Sequence, residues 1–408
     1  MADSRPGSWS ASRRRPRPGS SFLNLRLPPI YAITPGTARG GEEVVEMAAR
    51  LFEAGIRVLQ VREKQLPDRD LLRTVEGADL LAREFGATVI VDDRVDVARI
   101  AALGVHLGGN DLPSRIAREL LPADAPVGVS THDLAAARAA FSDASCDYVA
   151  FGPVFESSTK PGRPPRGVEA LAQVAREKTK PLVAVGGITE ESLDPVFDAG
   201  ADSAAIVGAL AQGGFLTRNA RRLLDHARRR DPPGRVYLVG FMGSGKTAIG
   251  RRISERLRFP FVDLDSEIER TSGLTVRALF EALGEPAFRE RESAFLDGTE
   301  ALPAAVVSTG GGSFVSERNR AAIARLGLPV FLDIPFDAVR ERLVEKGDRP
   351  LFTSVEQAAR LFAERAPFYK MAPVRVALTG RESIEESTDK VLSAVYDRRE
   401  LGGPRLES

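Results

Sequence analysis

The chain has 408 residues, 57 basic against 56 acidic side chains, and a single cysteine, Cys146. This length predicts two domains, the balanced charge argues against a nucleic-acid partner, and one cysteine excludes a disulfide framework and fits a reducing compartment. No apolar run approaches the ~18 residues of a membrane span, so the sequence predicts a cytoplasmic protein with no membrane partner.

The first 27 residues are rich in Arg, Ser and Pro and nearly free of acids. Such a segment has little apolar surface to bury, so we expect a disordered tail. An organelle transit peptide has a similar composition, although no clear amphipathic helix is present. A weak polyanion-binding arm is the third interpretation.

Residues 28–213 repeat one pattern, in which a short apolar run is followed in most cases by a helical segment with a polar face. The eight apolar runs are near-continuous, as strands covered on both faces are. They lie at 30–34, 58–63, 88–92, 104–108, 127–130, 148–153, 182–187 and 204–208. Eight strand–helix units predict a (β/α)8 TIM barrel, with an open doubly wound sheet as the structural rival.

Polar and glycine residues follow these strands at the ends where TIM barrels carry their sites. They are Gln60, Arg62, Lys64, Asp92, Asp93, Asp111, Ser130, Ser157, Thr159, Lys160, Gly187 and Gly208. Two acids from neighbouring strands are typical of Mg²⁺ bound jointly by carboxylates and substrate phosphates. The basic and hydroxyl side chains favour a diphosphate, and the last two glycine turns favour a monophosphate.

Taken together, these motifs resemble thiamine-phosphate synthase over nearly the whole barrel. The resemblance lies in "QVREK", an acidic pair after strand three, the acid after "GVHLGGN", and the elements "STH", "SSTK" and "GGI". It implies that hydroxymethylpyrimidine diphosphate is joined to a thiazole phosphate with release of pyrophosphate. It implies Mg²⁺ at Asp93 and Asp111, pyrimidine diphosphate at Gln60, Arg62, Lys64, Asp92, Ser130 and Lys160, and thiazole phosphate at Ser157, Thr159, Gly187 and Gly208.

Three positions depart from that family's pattern: Asp92 stands where Asn is expected, Ser157 where Thr is usual, and Gly208 where Ser is frequent. A sister family, the thiazole tautomerases, has the same barrel without the coupling activity. It uses a His near the end of strand five, where His132 stands. A tautomerase and a non-catalytic barrel that senses a ligand or mediates an interaction are therefore the alternatives.

Residues 214–234 contain one basic amphipathic helix followed by Pro232, Pro233 and Gly234. We expect this segment to link two domains and its basic residues to form a solvated face. A second α/β series spans 235–397, with apolar runs at 235–240, 259–265, 304–309, 329–334 and 374–378. It predicts a mostly parallel sheet with helices on both faces, before a frayed tail at 398–408.

The stretch "GFMGSGKT" at the start of this second series matches the phosphate-binding loop G-x-x-x-x-G-K-[ST] completely. Its glycines let backbone N–H groups turn towards phosphate oxygens at the N-terminus of the next helix. The pattern predicts an ATP site built by Gly240, Gly243, Ser244, Gly245, Lys246 and Thr247. The hydroxyl of Thr247 is expected to reach Mg²⁺.

Five further motifs follow the loop. "VDLD" places Asp263 and Asp265 two residues apart, and so on one face of a strand. "AFRERE" carries Arg289, "STGGGS" carries Gly311, "RPL" carries Arg349 and "ERAPFY" carries Arg365.

In this order the motifs resemble shikimate kinase, a family of small P-loop kinases that phosphorylate the 3-hydroxyl of shikimate with ATP and Mg²⁺. The resemblance implies shikimate binding by Asp265, Arg289, Gly311 and Arg365, and Mg²⁺ binding by Asp263 and Thr247. It also implies catalysis by Asp265, Lys246 and Arg349, with Arg342 and Arg349 at the ATP site.

The family's lid, between Arg349 and Arg365, is a few residues short in this sequence. A kinase for another small polyol, such as gluconate, is the rival. The whole chain predicts a bifunctional enzyme whose partners are these small molecules. The sequence leaves the oligomeric state open, and a homo-oligomer is compatible with it.

Overall fold

The structure is a computed structural model that describes residues 27–156, 164–231, 233–346 and 355–400. Several predictions lie outside these described residues. They are the disordered tail, the sites at Ser157, Thr159, Lys160 and Arg349, and part of the short lid segment.

Eight parallel strands close into a barrel in chain order. The strands are β1 (Ile30–Ile33), β2 (Val58–Val61), β3 (Thr88–Asp92), β4 (Gly104–Leu107), β5 (Val127–Thr131), β6 (Tyr148–Phe151), β7 (Leu182–Val185) and β8 (Ser203–Ile206). The first strand pairs with the last, with Ile30 opposite Ala204. This pairing confirms the predicted TIM barrel and excludes the open sheet.

Helices follow every barrel strand and cover its outer side. They are α1 (Gly41–Glu53), α2 (Asp68–Glu84), α3 (Val95–Ala101), α4 (Ser114–Leu120), α5 (Leu134–Ser142), α6 (Gly167–Ala175), α7 (Leu193–Asp198), α8 (Gly208–Ala211) and α9 (Leu216–Arg230). Successive strand residues face opposite ways. On β1, Ile30 and Ala32 pack outwards in the main core, whereas Tyr31 packs inside the barrel against Tyr148.

A second sheet of five parallel strands follows, in the order β10-β11-β9-β12-β13. Its strands are β9 (Arg235–Val239), β10 (Phe261–Asp263), β11 (Ala305–Ser308), β12 (Leu328–Asp333) and β13 (Val374–Ala377). All five lie within the predicted runs or one residue from them. The expected parallel α/β sandwich of a P-loop protein is therefore confirmed.

The helices of this second sheet cover both of its faces. They are α10 (Lys246–Leu257), α11 (Leu264–Ser272), α12 (Val276–Gly298), α13 (Glu317–Leu326), α14 (Phe336–Lys346), α15 (Val355–Tyr369) and α16 (Ile384–Glu400). The central strand β9 shows the division, because Val236 and Leu238 pack with residues of α10 and α16. Tyr237 and Val239 pack on the opposite face with residues of α11, α12 and α13.

The structure corrects the prediction that the basic residues of α9 form a solvated face. The side chain of Arg228 is only 4% exposed, and Arg221 pairs with Asp389 of α16. On another side of the helix, Arg222 and Arg230 pair with Glu190 and Asp194 beside or within α7, both at 2.5 Å. The amphipathic pattern predicted the helix, and it carried no information about what covers its basic residues.

Two smaller observations complete the fold. Helix α16 continues to Glu400, so helical backbone extends into the segment that the sequence predicted as frayed. Among the described residues, no helix combines the length and the apolar character needed to cross a membrane.

Candidate active sites

A cavity of about 430 Å³ opens at the C-terminal ends of the barrel strands. All eight barrel strands, or the loops that follow them, contribute residues to it because parallel strands of a barrel end at the same rim. Most of the predicted barrel residues within the described ranges line it: Gln60, Arg62, Asp92, Asp93, Ser130, Gly187 and Gly208, with His132. The structure therefore brings together residues as far apart along the chain as Gln60 and Gly208.

Basic side chains surround the acidic pair at the end of β3. The Nζ atom of Lys64 lies 3.3 Å from Asp92 Oδ2 and also contacts the carboxylate of Asp93. Gln60 Nε2 donates to Asp92 Oδ1 at 2.5 Å, and Arg62 Nε lies 3.6 Å from Asp92. Burial and the nearby Asp93 carboxylate raise the pKa of Asp92. Two cations, Arg62 lining the cavity and Lys64 beside its acidic pair, are thus placed to meet an anionic ligand, and both are partly neutralised by these acids.

Asp111 lies beside Asp93, so two carboxyl groups meet at the cavity rim. Burial and the Asp93 carboxyl raise the pKa of Asp111, whose Oδ2 accepts a hydrogen bond from Gly108 N at 2.7 Å. Asp93 itself has a left-handed backbone conformation with φ of 60°. Carboxylate oxygens in this arrangement are ligands that suit a hard divalent cation. The described residues contain no group of three or more His, Cys, Asp or Glu side chains arranged for a metal.

Polar side chains inside the barrel form a continuous chain at the cavity, and three of its members, Tyr31, Tyr148 and His106, were not predicted from the sequence. The hydroxyl of Tyr31 donates to Gln60 Oε1 at 3.0 Å and lies 2.8 Å from the hydroxyl of Tyr148. His106 continues the chain, with Nδ1 3.0 Å from Tyr148 and Nε2 2.8 Å from Ser130 Oγ. The available signal was the occurrence of polar residues within buried, otherwise apolar strands, where each needs a hydrogen-bonding partner.

His132 lines the same cavity, and its Nδ1 donates to the carbonyl of Gly152 at 2.6 Å. A backbone acceptor at Nδ1 fixes the orientation of the ring. The histidine that the tautomerase alternative requires therefore lies at the cavity.

The phosphate-binding loop connects β9 to α10. Gly240, Gly243 and Gly245 adopt φ values of 146°, 80° and 93°, a region that side chains disfavour. Lys246 Nζ donates to the carbonyls of Gly240 and Phe241, both at 2.8 Å. The Oγ atom of Ser244 is buried with no hydrogen-bond partner among the described residues, which fits a loop built to receive ligand oxygens.

Next to the loop, Thr247 Oγ1 donates to Asp263 Oδ2 at 2.8 Å. The prediction that Asp263 and Asp265 share a strand face is wrong. β10 ends at Asp263, whose side chain accepts from Ser266 N at 3.2 Å and caps α11. Asp265 therefore lies in the first helical turn, and N-capping by an Asp side chain is the physical reason for the early change from strand to helix.

Three of the predicted side chains gather around the Gly310–Gly312 turn after β11. A Cβ atom on residue 310 would lie 2.9 Å from Asp265 Oδ1, and one on residue 312 would lie 2.4 Å from Arg289 Nη2. The carbonyl of Gly311 accepts from Arg365 Nη1 at 3.1 Å and also from the hydroxyl of Tyr369. Glycine at positions 310 and 312 is what allows Asp265 and Arg289 to approach this turn so closely.

Two acids on α12 hold Arg289 in place. Its Nη1 lies 2.9 Å from Glu292 Oε2, and its Nη2 lies 3.0 Å from Glu285 Oε1. The side chain of Glu292 is fully buried and also accepts from the hydroxyl of Ser313. Sequence reasoning included Glu292 in the motif without giving it a role, and the structure makes it the support of Arg289.

At the edge of the phosphate-binding loop, Arg342 Nη1 donates to the carbonyl of Gly243 at 3.2 Å, and its Nη2 donates to Gly380 at 3.0 Å. The predicted ATP-site arginine is thus in contact with the loop. Gly380 belongs to a turn that sequence reasoning did not assign to any site.

Two family models match separate parts of the chain: thiamine monophosphate synthase over residues 30–210 and shikimate kinase over residues 242–396. The thiamine-phosphate synthase of Methanoculleus marisnigri is 38% identical over 208 residues, which cover 50% of this chain and 98% of that protein. The shikimate kinase of Ruegeria pomeroyi is 37% identical over 169 residues, covering 41% of this chain and 87% of that protein. The chain belongs to both families.

This fusion is a bifunctional transferase with a thiamine-phosphate synthase domain and a shikimate kinase domain. A solved structure of shikimate kinase from Acinetobacter baumannii in complex with shikimate is 31% identical to it, with a TM-score of 0.40. That similarity covers 43% of this chain and 98% of the other. In the synthase domain, most of the described predicted residues line the cavity. In the kinase domain, the described predicted residues lie at the glycine turn and around the phosphate-binding loop.

Proposed function

We propose that the synthase domain joins hydroxymethylpyrimidine diphosphate to a thiazole phosphate, and that the kinase domain phosphorylates the 3-hydroxyl of shikimate with ATP. The observation that carries the proposal is the approach of Asp265, Arg289 and Arg365 to the Gly310–Gly312 turn. Two arginines and one acid suit a substrate with one carboxylate and one reacting hydroxyl. A neutral polyol would leave both arginines without a partner on the substrate.

In the kinase domain, Arg289 and Arg365 would bind the shikimate carboxylate as charged hydrogen-bond donors, with Gly311 beside them. Asp265 would orient the 3-hydroxyl and accept its proton as the oxygen attacks the terminal phosphorus of ATP. Lys246 and Arg349 would stabilise the negative charge on the transferred phosphoryl group. Residues 240–247 would hold the phosphates, and Arg342 would contact the nucleotide.

The residues present fit a divalent cation in both domains. Asp263 with Thr247 in the kinase domain, and Asp93 with Asp111 in the synthase domain, provide paired oxygen atoms beside the phosphate-binding groups. Such oxygen sets suit Mg²⁺ shared with substrate phosphates. When bound, Mg²⁺ would supply positive charge that stabilises phosphate oxygens.

In the synthase domain, the bond between the pyrimidine methylene carbon and the diphosphate oxygen would break, with its electron pair leaving on pyrophosphate. The thiazole nitrogen would provide the pair for the new carbon–nitrogen bond. Because the aminopyrimidine ring shares the positive charge, no protein nucleophile is needed. Arg62, Lys64 and Lys160 would receive the pyrophosphate, so positioning and charge stabilisation provide the catalysis.

The remaining cavity residues would position the two substrates. Gln60, Asp92 and Ser130 would contact the pyrimidine, and the polar chain beneath them would hold Gln60 and Ser130 in place. The thiazole phosphate would bind the late turns and the sixth βα-loop, at Ser157, Thr159, Gly187 and Gly208. We propose the cytoplasm as the location, because a single cysteine fits a reducing compartment.

Two assays on the purified full-length protein test the proposal. Formation of thiamine phosphate is followed with both precursors and Mg²⁺, and formation of ADP is followed with and without shikimate. We expect Asp93→Ala to abolish only the first reaction and Lys246→Ala to abolish only the second, so each variant is the folding control for the other. We expect EDTA to abolish both reactions and Mg²⁺ to restore them.

Shikimate-dependent ADP formation without any thiamine phosphate would contradict the synthase assignment. The barrel would then be tested for interconversion of thiazole tautomers, with His132→Gln as the diagnostic variant. ADP formation with gluconate but not with shikimate would contradict the kinase assignment.

A further inference from the structure

The two domains contact each other through α9 on the synthase side and through α10 and α16 on the kinase side. One side of α9 belongs to the synthase core through Leu223 and Leu224. Other residues of the same helix, Asp225 and Arg228, are buried and charged. Helix α9 is therefore enclosed between the two domains.

Arg256, in the last turn of α10, is the centre of this contact. Its Nε and Nη2 atoms donate to the two carboxylate oxygens of Asp225 at 2.8 and 3.0 Å. Its Nη1 donates to Asp389 of α16 at 2.7 Å, and Arg221 of α9 pairs with the other oxygen of Asp389. We name Arg221, Asp225, Arg256 and Asp389 the junction cluster. Its charges alternate, and the contacts cross the domain boundary twice.

Three of the four side chains in the junction cluster are shielded from water, and the fourth, Arg221, is 27% exposed. The side chains of Arg256, Asp225 and Asp389 are 6%, 11% and 4% exposed. Exposed ion pairs contribute little because water screens them. Removing one partner of a buried pair is strongly unfavourable, because it leaves a buried charge without compensation. Separating the domains would uncover the three buried charges of Arg256, Asp225 and Asp389.

Further contacts extend the junction beyond the cluster. Arg57, in the connection before β2, donates through Nε to both oxygens of Asp397 at 3.1 Å. The hydroxyl of Tyr396 donates to the carbonyl of Arg228 at 3.0 Å, and the guanidinium of Arg228 lies 4.9 Å from the centre of the Tyr396 ring. Because the junction contacts involve two synthase segments, α9 and the connection before β2, and two kinase helices, α10 and α16, they fix orientation as well as distance.

The junction lies away from both active sites. Arg57 precedes β2 and is therefore at the N-terminal end of the barrel strands, whereas the cavity is at their C-terminal ends. In the kinase domain, Arg256 is ten residues after Lys246 on α10, about 15 Å along the helix axis. The junction therefore offers no path for a substrate, but a single helix connects it to the phosphate-binding loop.

We propose that the junction cluster makes the two domains one cooperative unit of stability, so that a nucleotide bound to the kinase domain also stabilises the synthase barrel. The second part of this inference rests on the proposed nucleotide site. A ligand that binds only the folded state lowers the population of the unfolded state by a factor of 1 + [L]/Kd. If the two domains unfold as one cooperative unit, the unfolded population of both domains falls by that factor. If they unfold independently, only the unfolded population of the domain with the ligand falls.

The test is urea unfolding of the full-length protein with pulsed hydrogen exchange and mass spectrometry. Peptides containing β3 and β7 report on the barrel, and peptides containing β9 and β11 report on the kinase domain. We expect coincident midpoints without ligand. With MgADP at 100 times its Kd, we expect both midpoints to rise together, and exchange through global unfolding to slow about 100-fold in both domains.

Arg256→Gln is the variant that separates the domains. We expect two distinct midpoints, of which MgADP raises only that of the kinase domain. Asp225→Asn is a milder second variant, used if Arg256→Gln does not fold. Arg252→Gln is the matched control, because Arg252 lies on the same helix and pairs with Glu255 and Glu385, both within the kinase domain.

Separate midpoints in the unmodified protein, or a rise confined to the kinase peptides, would overturn the proposal. So would Arg256→Gln and Arg252→Gln behaving alike with coincident midpoints. A different failure has a different signature: if MgADP moves neither midpoint while Arg256→Gln still separates them, the nucleotide site is wrong and the cooperative junction stands.

Discussion

Arg289 lies so close to the backbone of Gly312 that a Cβ atom at position 312 would come 2.4 Å from Nη2. The guanidinium cannot simply move away, because Glu292 and Glu285 hold it from the other side at 2.9 and 3.0 Å. The third glycine of the turn is therefore required by the side chain that we assign to the shikimate carboxylate.

Gly312→Ala should impair shikimate binding because it displaces Arg289. We expect the KM for shikimate to rise about 10-fold or more, since small misplacements of a positioning group are costly, while the KM for ATP changes little. The measurement is steady-state ADP formation with each substrate varied. Gly298→Ala on α12 is the control, because a Cβ atom there has open space. Equal kinetics for the two variants would contradict the role given to Gly312.

Asp92→Asn should improve binding of the pyrimidine diphosphate. The amide keeps an oxygen to accept from Gln60 and removes a negative charge that lies 3.3 Å from Lys64. We expect the KM for the pyrimidine diphosphate to fall by about 3- to 10-fold, because the variant removes a partly screened repulsion between the Asp92 carboxylate and the diphosphate. Asp92→Ala is the comparison and should raise the KM, because Gln60 loses its acceptor. A higher KM for the Asn variant would show that the carboxylate itself is needed.

Tyr148→Phe should destabilise the barrel from within. The variant removes the hydroxyl that Tyr31 and His106 share at 2.8 and 3.0 Å. Loss of buried hydrogen bonds of this kind lowers the free energy of unfolding by about 1–3 kcal/mol, to be measured by urea titration. Tyr237→Phe is matched, because it removes one hydroxyl contact, to Thr299 at 2.6 Å, and should have the smaller effect. A larger loss in Tyr237→Phe would contradict this ranking.

Glu382 should make stability depend on pH in the acid range. Although burial acts in the opposite direction, hydrogen bonds from Lys390 and from the backbone of Thr379 lower the pKa of Glu382 to about 2. A carboxyl with a lowered folded-state pKa contributes stability that is complete above its ordinary pKa, and this stability is lost as the pH falls towards the folded value. Glu382 also holds the turn whose Gly380 carbonyl accepts from Arg342.

We therefore expect Glu382→Gln to lower the free energy of unfolding by roughly 1–3 kcal/mol at neutral pH. The difference from the unmodified protein should shrink as the pH falls from about 5.5 towards 3. Urea titrations at several pH values measure it, with Glu53→Gln, an exposed position on α1, as the control. A difference that does not depend on pH would mean that Glu382 acts through packing rather than through its charge.

Sequence alone determined the architecture and most of the candidate site residues. The apolar strand runs and the phosphate-binding loop are local signals, because hydrophobic periodicity and motif spacing are properties of neighbouring residues in the sequence. Those predicted barrel residues that the structure describes therefore meet at one rim, since all strands of a parallel barrel end there. Asp263 and Asp265 were misplaced for a local reason, the capping of α11 by Asp263.

Only the tertiary structure decided which polar groups support the sites and what covers α9. The contact between Tyr31 and Tyr148 joins residues 117 positions apart, and that between Arg57 and Asp397 joins residues 340 apart. No local pattern encodes such pairs, because each side chain is compatible with solvent until the fold buries it. The alternating charges of the junction cluster could be recognised only in the folded structure, where Asp225 and Asp389 both contact Arg256.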